Sequence, residues 1–450
     1  MSASRIDVLD ENRSALSKIC RLAWPVTLSM LFHISYSIVD LLWVKSLGRE
    51  AVAALTLSGI IFWAMFAVSQ VFGMGVHALV ARACGAGEHE KAGRVCRDGI
   101  GAAMLTGVLV GTLVFFNAKW ILGRLGAQPD VIATGAPYVR IMALSPVATA
   151  GLFSLSASFR ATGDMITPLI LTGAACALNI VLDPILIFGA DMGVAGAGAA
   201  SVISAAAAFV WALTAVGRRS TVLRIWFKGM PDPVALKDML AVGVPAGLHY
   251  MLLSLSQMVG LRLVAGFGTP QVAATGIGGR ILHVAFLPCM GIGAATATMV
   301  GQYLGAKQTE QAETAAKTAV RVNFLVTALI GGCYALFPEI LLRPFSPDPE
   351  ILALGVVYLR ILAVTLVFVT ATITLTRVFQ GAGYTAWPSA IMGVRFLVFL
   401  GFARLLGWTL EFEVYGVWLA MGLSAAVQTV IVAWLFTLGT WKRRRLRSVE

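Results

Sequence analysis

Two aspartates lie inside long apolar stretches of the chain, where a charged side chain needs a specific reason to be. Asp40 falls in the stretch 22–44, and Asp183 falls in the stretch 167–190. An aspartate at the centre of a membrane-spanning helix costs about 2.5–3.5 kcal/mol on insertion scales. Two neighbouring carboxylates in apolar surroundings are expected to share a proton or to bind a small cation. This pair is therefore the leading candidate for a functional site.

Further polar residues are expected at the level of the aspartates. Asn179 lies four residues before Asp183, and Tyr36 lies four before Asp40, so each shares a helix face with its aspartate. Counting along the predicted helices places Tyr138 and Ser201 at about the same depth in the membrane. For Tyr138, aromatic packing is the alternative, and His33, on the face of Asp40, is more simply explained as a helix-contact residue. We predict a polar pocket formed by Tyr36, Asp40, Tyr138, Asn179, Asp183 and Ser201.

Pro184 follows Asp183 directly and has no backbone N–H. We expect it to free the carbonyl of Ile180 and to open the helix locally. Carboxylates, a free carbonyl, an amide and a hydroxyl are hard oxygen ligands that suit Na⁺ or a shared proton, whereas zinc favours nitrogen and sulfur. We predict H⁺ or Na⁺ at Asp40, Asn179, Asp183 and Ser201, and no resident cofactor. The alternative is that Asp40 lies at the membrane interface and Asp183 caps the proline break.

The composition predicts the elements that position these residues. Of 450 residues, 58% are hydrophobic and only 12% are charged. Soluble proteins average about 25% charged residues, so a soluble globular protein is excluded. A spanning helix needs about 20 apolar residues, which leaves material for a dozen. The predicted spans are 22–44, 52–80, 99–117, 131–157, 167–190, 192–216, 236–265, 272–300, 322–337, 351–376, 386–408 and 414–441.

The basic residues are distributed unevenly between the two sets of loops. The net charge is +12, with 34 Lys and Arg residues. With twelve spans, 23 of them fall in the set that contains both termini, 7 fall in the other set and 4 lie within helices. Basic loops stay cytoplasmic, so both termini are predicted to be cytoplasmic in a cell (inner) membrane. Topology therefore explains the charge, and no nucleic-acid partner is expected.

The two halves of the chain repeat each other. Pro25 recurs as Pro245, and Tyr138 recurs as Tyr358, both 220 residues later. Near the eleventh-to-twelfth helix turn we expect a three-residue insertion, which would pair Ser201 with Ser424. The pocket acids have no acidic counterparts, because Asp40 matches Gly260, Asp183 matches Ala403 and Asn179 matches Phe399. Chemistry is therefore predicted to be concentrated in the first half.

The repeat predicts an all-α integral membrane protein with twelve transmembrane helices in two six-helix bundles. An even number of spans per unit makes the repeat parallel, with a central cleft between lobes. The predicted parts are an N-terminal lobe at 1–217, a cytoplasmic linker at 218–235, a C-terminal lobe at 236–441 and a basic cytoplasmic tail at 442–450. This architecture is typical of transporters that work by alternating access.

With Asp40, the segment from Asn179 to Pro184, Tyr138 and the repeat, the chain resembles the MATE (multidrug and toxic compound extrusion) family over essentially its whole length. Within the family it is most similar to the DinF-like branch. That resemblance implies coupling roles for Asp40, Asn179, Asp183 and Ser201, and a gating or substrate role for Tyr138. The NorM-like branch uses acids in the seventh and tenth helices, and those spans carry no membrane-embedded acid here.

The expected function is cation-coupled antiport that exports amphipathic, often cationic organic compounds. The site residues for substrate or gating are Tyr36, Tyr138 and Pro184. The expected partners are a small organic substrate and membrane lipid, and the protein is expected to act as a monomer and not as an enzyme. Two alternatives remain. One is a lipid-linked precursor flippase of the wider exporter superfamily, which would be expected to have a basic cleft, whereas the predicted pocket is acidic. The other is an intramembrane aspartyl protease, which would require a GxGD-type segment around an aspartate.

Overall fold

The structure is a computed structural model that describes residues 6–219, 229–444, 446 and 448. Most of the predicted linker, at 220–228, and part of the basic tail lie outside the described residues. Every regular element within the described ranges is helical. The α-helices are α1 Ala15–Lys45, α2 Arg49–Gly85, α3 His89–Arg124, α4 Pro129–Met142, α5 Ser145–Ala161, α6 Ile166–Pro184, α7 Val194–Arg219, α8 Pro233–Ala265, α9 Thr269–Gly305, α10 Thr309–Leu336, α11 Pro338–Leu342, α12 Pro349–Gly381, α13 Ala386–Arg404 and α14 Glu413–Thr437.

The number of membrane-spanning helices agrees with the prediction. In the described part of the chain, eleven helices are long and apolar enough to cross a membrane, and α4 with α5 makes a twelfth span. Several helices extend well beyond their apolar segments. The third helix was predicted at 99–117 but covers His89–Arg124, because hydropathy marks only the lipid-embedded part of a helix whose polar end turns continue outside. The chain is thus an all-α, multi-pass membrane protein.

The fourth span is broken, which corrects the continuous helix predicted at 131–157. α4 and α5 meet at a bend of 42°. Pro146 lies in the first turn of α5, and its ring cannot donate to the carbonyl of Met142, where α4 ends. The matching position in the second half is Leu366, and there α12 runs unbroken. The proline therefore explains why only one copy is broken.

The contacts divide the chain into two compact units. Unit 1 comprises the described residues of Met1–Leu9, Pro25–Gly247 and Leu446–Glu450. Unit 2 comprises Asp10–Trp24 and Leu248–Arg445. In unit 1, α2, α3 and α5 pack against one another, and in unit 2 the corresponding α9, α10 and α12 do the same. The lobe boundaries predicted along the chain stay a prediction.

The repeat keeps one spacing to its end, so the predicted insertion is wrong. Asp191 and Glu411, 220 residues apart, both have a left-handed backbone, with φ of 53° and 57°. A Cβ on Gly196 would lie 2.6 Å from the carbonyl oxygen of Leu186, and one on Gly416 would lie 2.6 Å from that of Leu406. Ser201 therefore corresponds to Met421, and the match with Ser424 came from two small residues that recur by composition.

A π turn follows α6 and another follows α13. The two turns are Ile185–Gly189 and Leu405–Thr409. The residue before the first turn is Pro184, whereas the residue before the second is Arg404. Pro184 is therefore not required for the turn. The shared feature is the glycine of the next helix, Gly196 or Gly416, which lets that helix contact the turn's backbone.

We expect Gly196→Ala to destabilise the protein by about 1–3 kcal/mol, because its Cβ would press on the backbone of the π turn. Gly101→Ala is the control, since a Cβ there has open space, and a helical glycine-to-alanine change adds about 0.5–1 kcal/mol of stability. The measurement is thermal unfolding in detergent. Equal changes for the two variants would contradict the role of Gly196.

Candidate functional site

The two aspartates of unit 1 converge on one amide. Asp40 is on α1, and Asp183 is on the last turn of α6. With the Asn179 amide turned so that its nitrogen faces the acceptors, that nitrogen donates to Asp40 Oδ1 at 3.1 Å and to Asp183 Oδ2 at 3.2 Å. The opposite orientation would point the amide oxygen only at acceptors. The two carboxyl groups also lie within electrostatic range of each other.

Ser201 on α7 joins this cluster to Tyr36 on α1. The Asn179 oxygen accepts from the backbone N–H of Ser201 at 3.2 Å. The Ser201 and Tyr36 hydroxyls share a hydrogen bond of 2.6 Å. The Tyr36 hydroxyl is also within reach of the Asp40 carboxylate. Three helices thus contribute to one polar network inside an apolar bundle.

The network leaves one buried oxygen unsatisfied. Asp183 and Asn179 are 0% and 1% exposed, whereas Asp40 is partly exposed. Asp183 Oδ1 has no hydrogen-bond partner among the described residues. A buried oxygen of this kind normally has a partner, so a proton or a cation is the chemistry that would satisfy it. The donor set, oxygen atoms from two carboxylates and two hydroxyls, fits a hard cation such as Na⁺.

Tyr138 borders the network without joining it through a described hydrogen bond. Its ring packs on α7, where a Cβ added to Gly198 would lie 3.1 Å from Cδ2 of the tyrosine. It lies within electrostatic range of both aspartates. Pro184 ends α6 directly after Asp183, and His33 lies within electrostatic range of Arg160.

One neighbour of this network, Cys176, was not among the predicted site residues. Cys176 lies within electrostatic range of Asp40. It precedes Asn179 by three residues and Asp183 by seven, the spacing of one helix face. That spacing was the available signal. Among the described residues no three His, Cys, Asp or Glu side chains group as metal ligands, so any cation here needs Asn179, hydroxyl or carbonyl oxygens.

Unit 2 has an apolar cluster at the corresponding place. A Cβ on Gly260, the counterpart of Asp40, would lie 2.7 Å from Cε of Met421 and 3.5 Å from Cζ of Phe399. Those two residues are the counterparts of Ser201 and Asn179. Ala403, the counterpart of Asp183, is fully buried. The scaffold is therefore repeated, and the polar network is not.

Comparison with protein families gives a match to both halves of the chain. The profile of the MatE family matches residues 25–185 and 245–403. The second match begins 220 residues after the first, at the two prolines that open the repeat. Both aspartates of the network lie in the first match.

Relatives and solved structures match over nearly the full length. A "Probable multidrug resistance protein NorM" of Thermotoga maritima is 24% identical over 96% of this chain and 94% of its own. A "Probable multidrug resistance protein YpnP" of Bacillus subtilis is 26% identical over 96% and 97%. An outward-facing multidrug resistance MATE family transporter of the MOP superfamily has a TM-score of 0.89 at 24% identity, covering 96% of this chain and 98% of that one.

We expect Tyr36→Phe to destabilise the protein by about 1 kcal/mol, because it removes the hydroxyl that binds Ser201. Tyr138→Phe is the matched control, since no described hydrogen bond involves its hydroxyl, and it should change the unfolding free energy by less than about 0.5 kcal/mol. Chemical unfolding in detergent measures both variants. Equal losses would show that the Tyr36 hydroxyl contributes nothing specific.

Proposed function

Because the chain belongs to the MatE family, with both of its repeats matched, we propose that it exports amphipathic organic compounds in exchange for a cation. A member of this family is a transporter and not an enzyme. The names of the relatives, among them multidrug resistance proteins, support small organic compounds as the substrates. Compounds that are often cationic are proposed here because the network of unit 1 is acidic.

The observation that carries the coupling proposal is the contact of one amide with two carboxylates. Asn179 donates to both Asp40 and Asp183 and so holds the two carboxylates close together. In this setting the charge of the pair is costly unless a positive ion joins it. Arrival of H⁺ or Na⁺ removes one negative charge from the pair, weakens its attraction for a cationic substrate and changes the packing of α1 against α6. Departure of the ion reverses these changes.

The proposed route of the ion follows from burial. Asp40 is partly exposed and Asp183 is not, so the ion reaches Asp40 first and then Asp183 Oδ1. Asn179 and Ser201 supply the remaining oxygen and amide contacts. Tyr138, packed on α7 beside the aspartates, is proposed to sense the charge of the pair and gate the substrate.

The placement of the acids supports the DinF-like branch. The acidic residue of α8 is Asp238, near the beginning of that helix, and Glu350 is in the first turn of α12. Neither is embedded in the apolar part of its span. We further propose alternating access between the halves, function as a monomer among membrane lipids, and a cell (inner) membrane location with both termini cytoplasmic. The count of basic residues supports this orientation.

We expect Asp40→Asn to abolish gradient-driven efflux from proteoliposomes, because the amide cannot exchange a proton or balance the charge of a cation. The protein should remain folded and inserted. Glu339→Gln is the matched control, since Glu339 is an exposed acid paired with Arg343. It should export at the wild-type rate. Surviving efflux in the Asp40 variant would overturn the coupling assignment.

The ion that drives efflux should also stabilise the folded protein, since a ligand that binds only the native state raises its stability. Imposing pH and Na⁺ gradients separately identifies the driving ion. The same ion, added to purified protein, should raise the unfolding temperature of the wild type and of Glu339→Gln. Asp183→Asn should show neither efflux driven by that ion nor the rise in unfolding temperature. A driving ion that stabilises Asp183→Asn as much as the wild type would exclude binding at this network.

A further inference from the structure

Unit 2 contains a half-buried arginine, Arg395, on a helix without an acidic residue. Arg395 is the tenth residue of α13. α13 itself has no Asp or Glu, and neither do α8 after Asp238 and α14 after Glu413. Among the described residues, no carboxylate lies within ion-pair distance of Arg395. Its positive charge therefore lies in an apolar helix and has no described carboxylate as an ion-pair partner.

The described contacts of Arg395 satisfy only part of its guanidinium. Nη1 donates to Gln428 Oε1 on α14 at 3.1 Å. Nε is buried and has no acceptor among the described residues. The Gln428 amide nitrogen faces only the thioether of Met392, at 3.6 Å. A guanidinium presents five donors in a planar fork that matches a carboxylate or sulfonate, and here a neutral amide is the sole described acceptor.

A second buried nitrogen lies in the same surroundings. His249 on α8 forms a hydrogen bond with the backbone of Pro388, and its Nδ1 is buried without a partner among the described residues. Arg395 and Arg377 both lie within electrostatic range of its ring. Arg377 donates to Gln380 Oε1 at 3.0 Å. Two guanidinium groups thus lie within electrostatic range of this histidine.

The depth of Arg395 separates this feature from an interfacial lipid anchor. It lies nine residues from the start of α13, about 14 Å along the helix, and 14 residues, about 21 Å, from the end of the π turn that follows. A lipid headgroup level with either end of this helical segment lies beyond the reach of this side chain. An anion that meets Arg395 therefore arrives as part of a compound that enters the protein.

We propose that Arg395, Gln428 and His249 form a subsite for the carboxylate or sulfonate end of an amphipathic organic compound. The proposal deepens the exporter function and rests on it. The counterparts of these residues in unit 1 are Ala175, Ala208 and Ser29, so the subsite belongs to unit 2 alone.

The test uses two dyes that differ at one carboxyl group, which is free in one dye and esterified in the other. Rhodamine B carries a free carboxylate, and rhodamine B ethyl ester has that group blocked. Fluorescence anisotropy with full-length protein in phosphatidylcholine nanodiscs, corrected with empty nanodiscs, gives both affinities. The wild type should bind rhodamine B more tightly than the ester. Equal affinities, or tighter binding of the ester, would overturn the proposal.

Variants assign the preference to Arg395. Arg395→Gln should weaken rhodamine B binding by about tenfold and ester binding by less than about twofold. Gln428→Glu places a carboxylate beside the guanidinium and should abolish the preference for rhodamine B. The same ion pair favours folding, so this variant replaces Arg395→Gln if that variant does not fold. Arg404→Gln removes an exposed charge from the same helix and should behave as the wild type. Unchanged rhodamine B binding in Gln428→Glu would overturn the proposal.

Two arms separate other outcomes. In phosphatidylglycerol nanodiscs, a loss of rhodamine B binding with unchanged ester binding would assign the subsite to a lipid headgroup and overturn its assignment to exported compounds. Equal binding in the two lipids supports it. Export of the cationic ester by the wild type and by Gln428→Glu in proteoliposomes tests the proposed function independently. If the wild type does not export the ester, the exporter proposal is contradicted. If only the preference for rhodamine B is missing, the subsite alone is contradicted.

Discussion

The structure of unit 1 depends on one electrostatic constraint: two carboxylates cannot both keep a bare charge inside an apolar bundle. Asn179 stabilises both carboxylates by donating a hydrogen bond to each. Asp183 Oδ1 has no hydrogen-bond partner among the described residues. α7 has to come close enough for Ser201 to meet the amide, and glycines at the contacts of α7 permit this approach. Because Gly416 makes the same contact in unit 2 without a polar network, the close approach belongs to the repeated scaffold, and the network uses it.

The spacing of residues along helices was enough to predict most of this network. Tyr36 with Asp40, and Asn179 with Asp183, repeat at four residues, and a helix places such pairs on one face whatever surrounds them. Distances between helices could not be obtained in this way. Tyr138 illustrates the difference, since it lies within electrostatic range of both aspartates, yet no described hydrogen bond joins it to them.

Other features escaped the sequence because they depend on the backbone. The pairing of Ser201 with Ser424 relied on matching letters in segments rich in small residues, where chance identities are common. The backbone conformation of Asp191 and Glu411 resolves the correct spacing. Pro184 was expected to open the helix locally, although the π turn that follows it also forms in the second copy, where Arg404 takes its place. Arg395 was visible as an arginine within a span, but only its contacts show that the described partner is neutral.

The break between α4 and α5 distinguishes the first copy of the repeat from the second. Pro146 interrupts backbone hydrogen bonding there, and α3 meets the bend through glycines, with a Cβ on Gly111 lying 2.3 Å from the carbonyl oxygen of Ala143. In the second copy α12 passes the same level as a continuous rod. The fourth span of the first copy is therefore interrupted about one turn after Tyr138, which lies within electrostatic range of the two aspartates, whereas the matching span of the second copy is continuous.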